Sequence, residues 1–444
     1  MKPSQQLDLF PQEQTTASEL ADFGTFKDSQ RAPIHRWFRY PAGYSYRFVD
    51  EIFRREGVTA GEWVYDPFSG TGTTLLCAEQ AGINGYGVEA HSFVHWVASV
   101  KLQRNYEWVA LDQQIRHILR DAQAFVIKET PNARVEGIFP ELIYKCYHPD
   151  DLKTLYVLRE FVGELASPIL RDLCKLALTD VLRSSAAAGT GWPYIAPRKN
   201  KGDKPPKDAL KLFGQTVLEM VRDLHHAAQH VPNNTELHNI LGDSRVRQTL
   251  SDAQINLALT SPPYLNNYDY ADRTRLEVYF WGIAKSWADI THTFRDRLIV
   301  AATTQVVRRQ HDVETALSAD IRALSPMLYQ KIQQSVRELS VMRLKKGGKK
   351  DYDLMVALYF NDLLAVMQET YRVLKPGGAF YMVLGDSAPY GVHVHTDEWL
   401  GQLGCSLGFQ SFVYQTFRAR GTKWQANPQR HSVPLREGVI ILRK

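Results

Sequence analysis

Apolar residues recur at helical spacing between His35 and Glu56, where Phe48, Val49, Ile52 and Phe53 fall on one face after a Pro41-Ala42-Gly43 turn. The pattern then shortens. Glu62 to Thr74, followed by Leu75 to Ala81, reads as a strand, a glycine-bearing turn and a helix in that order. Gly82 and Gly85 frame a second turn into Gly85-Tyr86-Gly87-Val88-Glu89, a strand ending in a carboxylate. This βαβ order predicts a parallel sheet with ligands at the carboxyl ends of its strands.

From about 105 to 235 the spacing is mostly helical, as in Asp151 to Leu165 and Ile169 to Leu182. A loop from Gly189 through Lys211 interrupts it. The βαβ pattern then resumes. Leu237 to Leu241 leads into Gly242-Asp243-Ser244-Arg245, and Ile255 to Leu259 leads into Thr260-Ser261-Pro262-Pro263-Tyr264. A charged helical stretch covers roughly 300 to 350. Tyr359 to Leu374 reads as a helix closed by Lys375-Pro376-Gly377-Gly378, Ala379 to Leu384 as a buried strand, and Phe409 to Phe417 with Gly438 to Leu442 as a sheet edge. Residues 1–30, rich in Gln, Ser, Thr and acidic side chains, read as a flexible arm.

At 444 residues the chain is long enough for one large domain with an insertion, or for two domains. A hydrophobic content of 44% with 23% charged residues is ordinary for a globular protein, and the net charge of +5 permits a nucleic-acid partner without requiring one. The four cysteines are far apart, which argues against a disulfide framework or a zinc site and for a reducing, cytoplasmic setting. No apolar run is long enough to span a membrane.

Two loops carry the candidate chemistry. Gly70-Thr71-Gly72 lacks the Gly-Lys-Ser/Thr ending of a P-loop and the third glycine of a dinucleotide fingerprint. Asp66-Pro67-Phe68 before it supplies an acceptor and a ring. Glu89 is placed to accept ribose hydroxyls, and Asp243 an adenine amino group. An adenosine without phosphates and with an amino-acid tail satisfies all of these, and no metal is required. Ser261-Pro262-Pro263-Tyr264 forms a rigid strand-ending loop, because each proline fixes its own φ and Pro263 pushes Pro262 towards an extended conformation.

Asp66-Pro67-Phe68-Ser69-Gly70-Thr71-Gly72-Thr73-Thr74, taken with Ser261-Pro262-Pro263-Tyr264, resembles the site-specific DNA amino-methyltransferases that act on cytosine N4 or adenine N6. The resemblance covers roughly 31–104 and 237–444. It implies an α/β fold of the class I S-adenosylmethionine-dependent methyltransferase type, a Rossmann-like sheet, with residues 105–236 as a helical insertion and candidate target-recognition domain. The cofactor set would be Tyr40 (from the segment closing over the methionine end), Asp66, Pro67, Phe68, Gly70, Gly72, Thr73, Thr74, Glu89, Asp243 and Ser244.

On the same resemblance Ser261, Pro262, Pro263 and Tyr264 are catalytic. The Ser261 hydroxyl and the Pro262 carbonyl would hold the amine protons, and Tyr264 would stack on a base drawn from the duplex. Serine at the first position of this loop leans towards cytosine N4. Adenine N6 is the alternative, and RNA or protein-glutamine methylation the more distant one.

Double-stranded DNA is the implied partner, with a restriction endonuclease as a possible associate. Trp192, Lys199, Lys201, Lys204, Tyr268, Arg418 and Arg420 are the candidate DNA contacts. Gln6-Leu7-Asp8-Leu9-Phe10 resembles the peptide by which bacterial DNA-processing proteins dock on the replication sliding clamp.

Overall fold

In a computed structural model of the chain the described residues are 23–40, 43–190, 195, 206–232, 234–420 and 433–444. Among them, seven strands form one sheet: β1 (Trp63–Asp66), β2 (Asn84–Glu89), β3 (Leu237–Leu241), β4 (Ile255–Thr260), β5 (Leu374–Gly385), β6 (Ser411–Arg420) and β7 (Leu435–Arg443). Their order is β3-β2-β1-β4-β5-β7-β6. The first five run parallel, and β7 lies antiparallel between β5 and β6. The chain grows outward from β1 on one side and from β4 on the other, so the order reverses between them. That reversal leaves a crevice at the carboxyl ends of β1 and β4, the expected ligand position in an open parallel sheet.

Local sequence explains the elements that frame this crevice. Helix Tyr46–Glu56 is capped by Ser45, whose hydroxyl accepts the Arg47 amide at 3.2 Å, and it ends on Gly57 in the left-handed region. Its buried residues are Phe48, Val49, Ile52 and Phe53, the face that the spacing marks out. Helix Thr73–Ala81 starts at Gly72 and buries every side chain from Thr73 to Glu79, because it packs beneath the sheet.

Further along, the helix expected from Tyr359 begins earlier, at Tyr352, and runs to Val373. The strand after it starts at Leu374 and takes in Lys375-Pro376-Gly377-Gly378, which the sequence pattern assigns to a turn. The charged stretch before it resolves into short 3-10 turns between Thr303 and Gln310 and helices Ala319–Leu324 and Pro326–Lys345.

A second apolar core gathers the helices Trp108–Glu129, Glu141–Cys146, Pro149–Gly163, Pro168–Ser185 and Ala209–His230. It is continuous with Ile34, Trp37 and Phe38 near the start of the described chain, and with Leu276, Phe280 and Phe294, which follow the Ser261 loop. Polar ties cross the same boundary. Buried Asp223 accepts the Ile34 amide at 2.9 Å, the Trp37 indole at 2.9 Å and the Arg36 Nε at 3.0 Å. Arg183 pairs with fully buried Glu277 and donates to the Arg273 carbonyl at 2.7 Å. The helices are thereby braced against the segment that leaves the acceptor loop.

Cys77, Cys146 and Cys174 are buried and Cys405 is exposed, all as free thiols. Among the described residues no helix is long and apolar enough to cross a membrane.

Candidate active site

One cleft opens at the reversal between β1 and β4. Its empty space, open mouth included, is about 790 Å³. Phe68, Ser69, Gly70, Thr71 and Thr73 line it from the first loop, Glu89 and His91 from the end of β2, and Asp243 and Ser244 from the end of β3. Ser261, Pro263 and Tyr270 close it from the second loop, and Tyr40 and Tyr44 cover it from the N-terminal side.

The glycine loop can follow this path because Gly70 and Gly72 both have positive φ, +54° and +85°. The Gly70 amide donates to Glu89 Oε2 at 3.0 Å, and the His91 amide to Oε1 at 2.7 Å. Burial nonetheless raises the Glu89 carboxyl to about 7, against the pull of those donors. Ser69 Oγ is buried and has no hydrogen-bond partner among the described residues. An orphaned hydroxyl beside a half-satisfied carboxylate, on a loop of small residues, suits a ligand that brings its own hydroxyls and amino groups.

Asp66 behaves differently from the expectation. It is 1% exposed and does not line the cleft. Its Oδ1 accepts the Phe68 amide at 3.0 Å and the Thr260 hydroxyl at 2.6 Å. Its Oδ2 accepts the Tyr44 phenol at 3.0 Å and the Thr74 hydroxyl at 2.5 Å. Burial dominates its titration and raises the carboxyl despite the four donors. Asp66 and Thr74 are thus the knot beneath the site rather than part of its wall.

Pro67 and Gly72 are likewise outside the lining, and Ser244 donates to the Pro67 carbonyl, fastening the β3 end to the first loop. Asp243 faces the cleft while paired with Arg245 at 2.8 Å, which also reaches Asp362 at 3.1 Å.

Of the second loop, Ser261 and Pro263 face the cleft, whereas Pro262 and Tyr264 do not. The Tyr264 ring is 7% exposed, with the Arg420 guanidinium 5.5 Å from its centre. Its amide donates to the Tyr270 hydroxyl at 3.1 Å. Burial pushes both phenols above the ordinary tyrosine range, so they stay protonated.

Arg420 also donates to Asn267 Oδ1 at 3.1 Å and to the Asp386 carbonyl at 3.2 Å. Arg418 pairs with buried Glu437 at 3.0 Å. Both arginines, expected to reach outward, are engaged within the protein around the acceptor loop. Tyr268 packs edge-on to Tyr270, 6.2 Å between centres, and lies outside the cleft lining. Trp192, Lys199, Lys201, Lys204 and the Gln6–Phe10 peptide fall outside the described residues.

Several lining residues escape the sequence reading. Tyr44 and His91 sit next to motif residues without belonging to a motif. The His91 imidazole is pushed down to about 3 by burial, so it is neutral, and its Nε2 lies 2.9 Å from the Thr274 hydroxyl. Arg297, Leu298 and Ile299 approach from a distant, irregular segment that no spacing rule marks.

Over nearly its whole length the chain is similar to Type II methyltransferases. It is 24% identical to Type II methyltransferase M.BsoBI of Geobacillus stearothermophilus in a 456-residue alignment covering 95% of this chain and 87% of that one. It is 23% identical to Type II methyltransferase M.AvaI of Nostoc sp., covering 87% and 81%. A stretch of 85 residues is 31% identical to Type II methyltransferase M.MjaII of Methanocaldococcus jannaschii, 18% of this chain and 16% of that one. No family model matches the chain. The sheet, its order and these homologues together give the α/β class I methyltransferase fold expected from the two motifs.

Proposed function

We propose that this chain is a site-specific DNA methyltransferase that moves a methyl group from S-adenosylmethionine to the N4 amine of cytosine in duplex DNA. One observation carries the proposal. The glycine loop, Glu89 and Asp243 share a single cleft with Ser261 and Pro263, so a cofactor seat and an acceptor seat meet at one point. The similarity to Type II methyltransferases over most of the chain supports the same function.

When bound, S-adenosylmethionine supplies a methyl group already activated by its sulfonium. The protein's task is then positioning. Glu89 accepts the ribose hydroxyls, Ser69 gives them a further partner, and Asp243 accepts the adenine amino group. Tyr40 and Tyr44 exclude water from the amino-acid end. Ser261, which faces the cleft, takes a hydrogen bond from the target amine, whose lone pair is otherwise delocalised into the base. Holding that proton lets the nitrogen pyramidalise and aim its lone pair at the methyl carbon. The acceptor is fixed by the two prolines that follow it, so little reorganisation is needed in the transition state.

The helical segment 105–236 is the proposed target-recognition domain. Its core continues into Leu276, Phe280 and Phe294, which couples it mechanically to the acceptor loop. A cognate restriction endonuclease acting on the same DNA site is the associate this reading proposes.

Labelled S-adenosylmethionine with duplex DNA, followed by digestion and identification of the modified nucleoside, tests the proposal. N4-methylcytosine is expected. N6-methyladenine would correct the base, and label confined to RNA or protein would replace the substrate. Ser261→Ala should retain cofactor binding and lose most transfer.

A further inference from the structure

Helix Pro326–Lys345 ends in a run of basic residues, Lys345-Lys346-Gly347-Gly348-Lys349-Lys350. Gly347 and Gly348 both have positive φ, +83° and +71°, and the Gly348 amide closes back on the Arg343 carbonyl at 2.9 Å. The chain therefore reverses sharply, with two lysines on each side of the turn. All four lysines are exposed, and none has an ion-pair partner among the described residues. The carboxylates that follow in sequence are already taken: Asp351 pairs with Arg308 at 2.5 Å and Arg343 at 2.9 Å, and Asp353 pairs with Arg308.

Helix electrostatics accounts for only half of this charge. Lys345 and Lys346 complement the carbonyl end of the helix they terminate. Lys349 and Lys350 do the opposite. They immediately precede helix Tyr352–Val373, whose N-terminus favours anions. Two uncompensated cations at that position cost stability, which suits a loop that meets an anion from outside.

The loop's place in the fold identifies the anion. Helix Tyr352–Val373 runs directly into β5, so its first turn lies at the carboxyl edge of the sheet, where Thr260 gives way to Ser261. The Tyr352 ring packs edge-on against Tyr390, 4.7 Å between centres, just beyond the end of β5. From there the Asp386 carbonyl accepts Arg420, which holds Asn267 and covers Tyr264. Chain and contacts together link the lysine turn to the acceptor loop, since Lys350 closely precedes Tyr352 and Asp386 closely precedes Tyr390.

We infer that the Lys345–Lys350 turn seats the phosphate backbone of duplex DNA beside the catalytic cleft. The inference rests on the DNA methyltransferase function proposed above and assigns it a backbone contact outside the helical segment. Phosphate contacts of this kind position the duplex without reading its sequence.

The test uses the full chain and a labelled duplex that the wild-type protein methylates, with binding measured across a range of NaCl concentrations. Wild type is compared with Lys345→Ala/Lys346→Ala, Lys349→Ala/Lys350→Ala and a charge-matched control, Arg54→Ala/Arg55→Ala. The control residues lie at the opposite edge, where Glu56 binds Arg443 at 2.7 Å beside the start of the buried part of β5. Each lysine pair should weaken binding about tenfold at low salt and flatten the log-affinity against log-salt slope by up to about 1.8. KM for DNA should rise with kcat unchanged.

A slope for both lysine pairs equal to that of the control pair overturns the inference. If wild type neither binds nor methylates DNA, the proposed function itself fails and the inference falls with it. That result is distinct from lysine variants that behave as wild type does.

Discussion

Thr260 donates its hydroxyl to Asp66 Oδ1 at 2.6 Å, joining the last residue of β4 to the last residue of β1 across the crevice where the sheet order reverses. Those two residues begin the two loops that line the cleft, so this buried hydrogen bond ties the loop roots together beyond the last paired residues, Tyr65 and Ala258. Thr260→Val keeps the side-chain shape and removes the donor. Leaving one lone pair of a buried carboxylate unmatched should lower stability by about 1–3 kcal/mol. Methyl transfer should slow by roughly tenfold or more, equivalent to about 1.4 kcal/mol in the barrier. Urea denaturation and single-turnover kinetics measure the two effects, and unchanged stability would show that the bond does not hold the loops.

The Glu89 carboxyl, raised from 4.5 to about 7 by burial, gives two linked pH effects of opposite benefit. The folded protein holds this proton more tightly than the unfolded chain does. Its contribution to stability is therefore complete below about pH 4.5 and is lost as pH rises through about 7, at most about 3 kcal/mol. Cofactor binding should run the other way. An ionised carboxylate accepts ribose hydroxyls better than a protonated one, so affinity should rise with pH up to about 7 and then level off, with about tenfold loss per unit below it. Calorimetric titration in buffers of different ionisation enthalpy should detect a released proton near neutrality. No release, with a flat affinity profile, would remove Glu89 from the cofactor contact.

How much of this was legible before the structure depends on whether the partners are close in sequence. Gly70, Gly72 and Glu89 are readable because strand, turn and helix follow in order and the chemistry is local. Helix Tyr46–Glu56 is readable because four apolar residues repeat on one face. The role of Asp66 is not, since Tyr44, Thr74 and Thr260 reach it from three separate elements. Arg418 and Arg420 look like a basic surface for a related reason. Their counter-charge, Glu437, lies on β7, where pairing between β6 and β7 sets it opposite Arg418.

Gly87 offers a test of the cradle that leaves its polar groups intact. A Cβ at this position would stand 2.8 Å from Ser69 Cβ and 2.9 Å from Leu75 Cδ1, because the glycine loop lies flat on β2 there. Gly87→Ala should force the loop away, costing about 1–3 kcal/mol as overpacking and weakening cofactor binding. Gly214→Ala, inside helix Ala209–His230 with open space around it, is the matched control. It should gain about 0.5–1 kcal/mol from helix propensity alone and leave the cofactor affinity unchanged. Thermal denaturation and calorimetric titration separate the two outcomes, and equal behaviour of the two variants would count against the close packing.

Arg420 covers the Tyr264 ring while its two ends hold Asn267 and the Asp386 carbonyl. The guanidinium fork thus ties the acceptor loop to the end of β5 through its two terminal nitrogens, a spread that a compact ammonium on a flexible stem does not reproduce. Arg420→Lys should therefore lose much of the effect that Arg420→Ala loses entirely. Neither change touches the glycine loop or Glu89, so cofactor affinity should stay within about twofold of wild type while transfer falls tenfold or more. That division distinguishes loop positioning from general loss of structure, which would weaken both. Removal of the arginine also leaves buried Glu437 with Arg418 as its remaining cation, so a modest fall in melting temperature should accompany the kinetic effect. Transfer rates close to wild type in Arg420→Ala would show that the acceptor loop keeps its geometry without this contact.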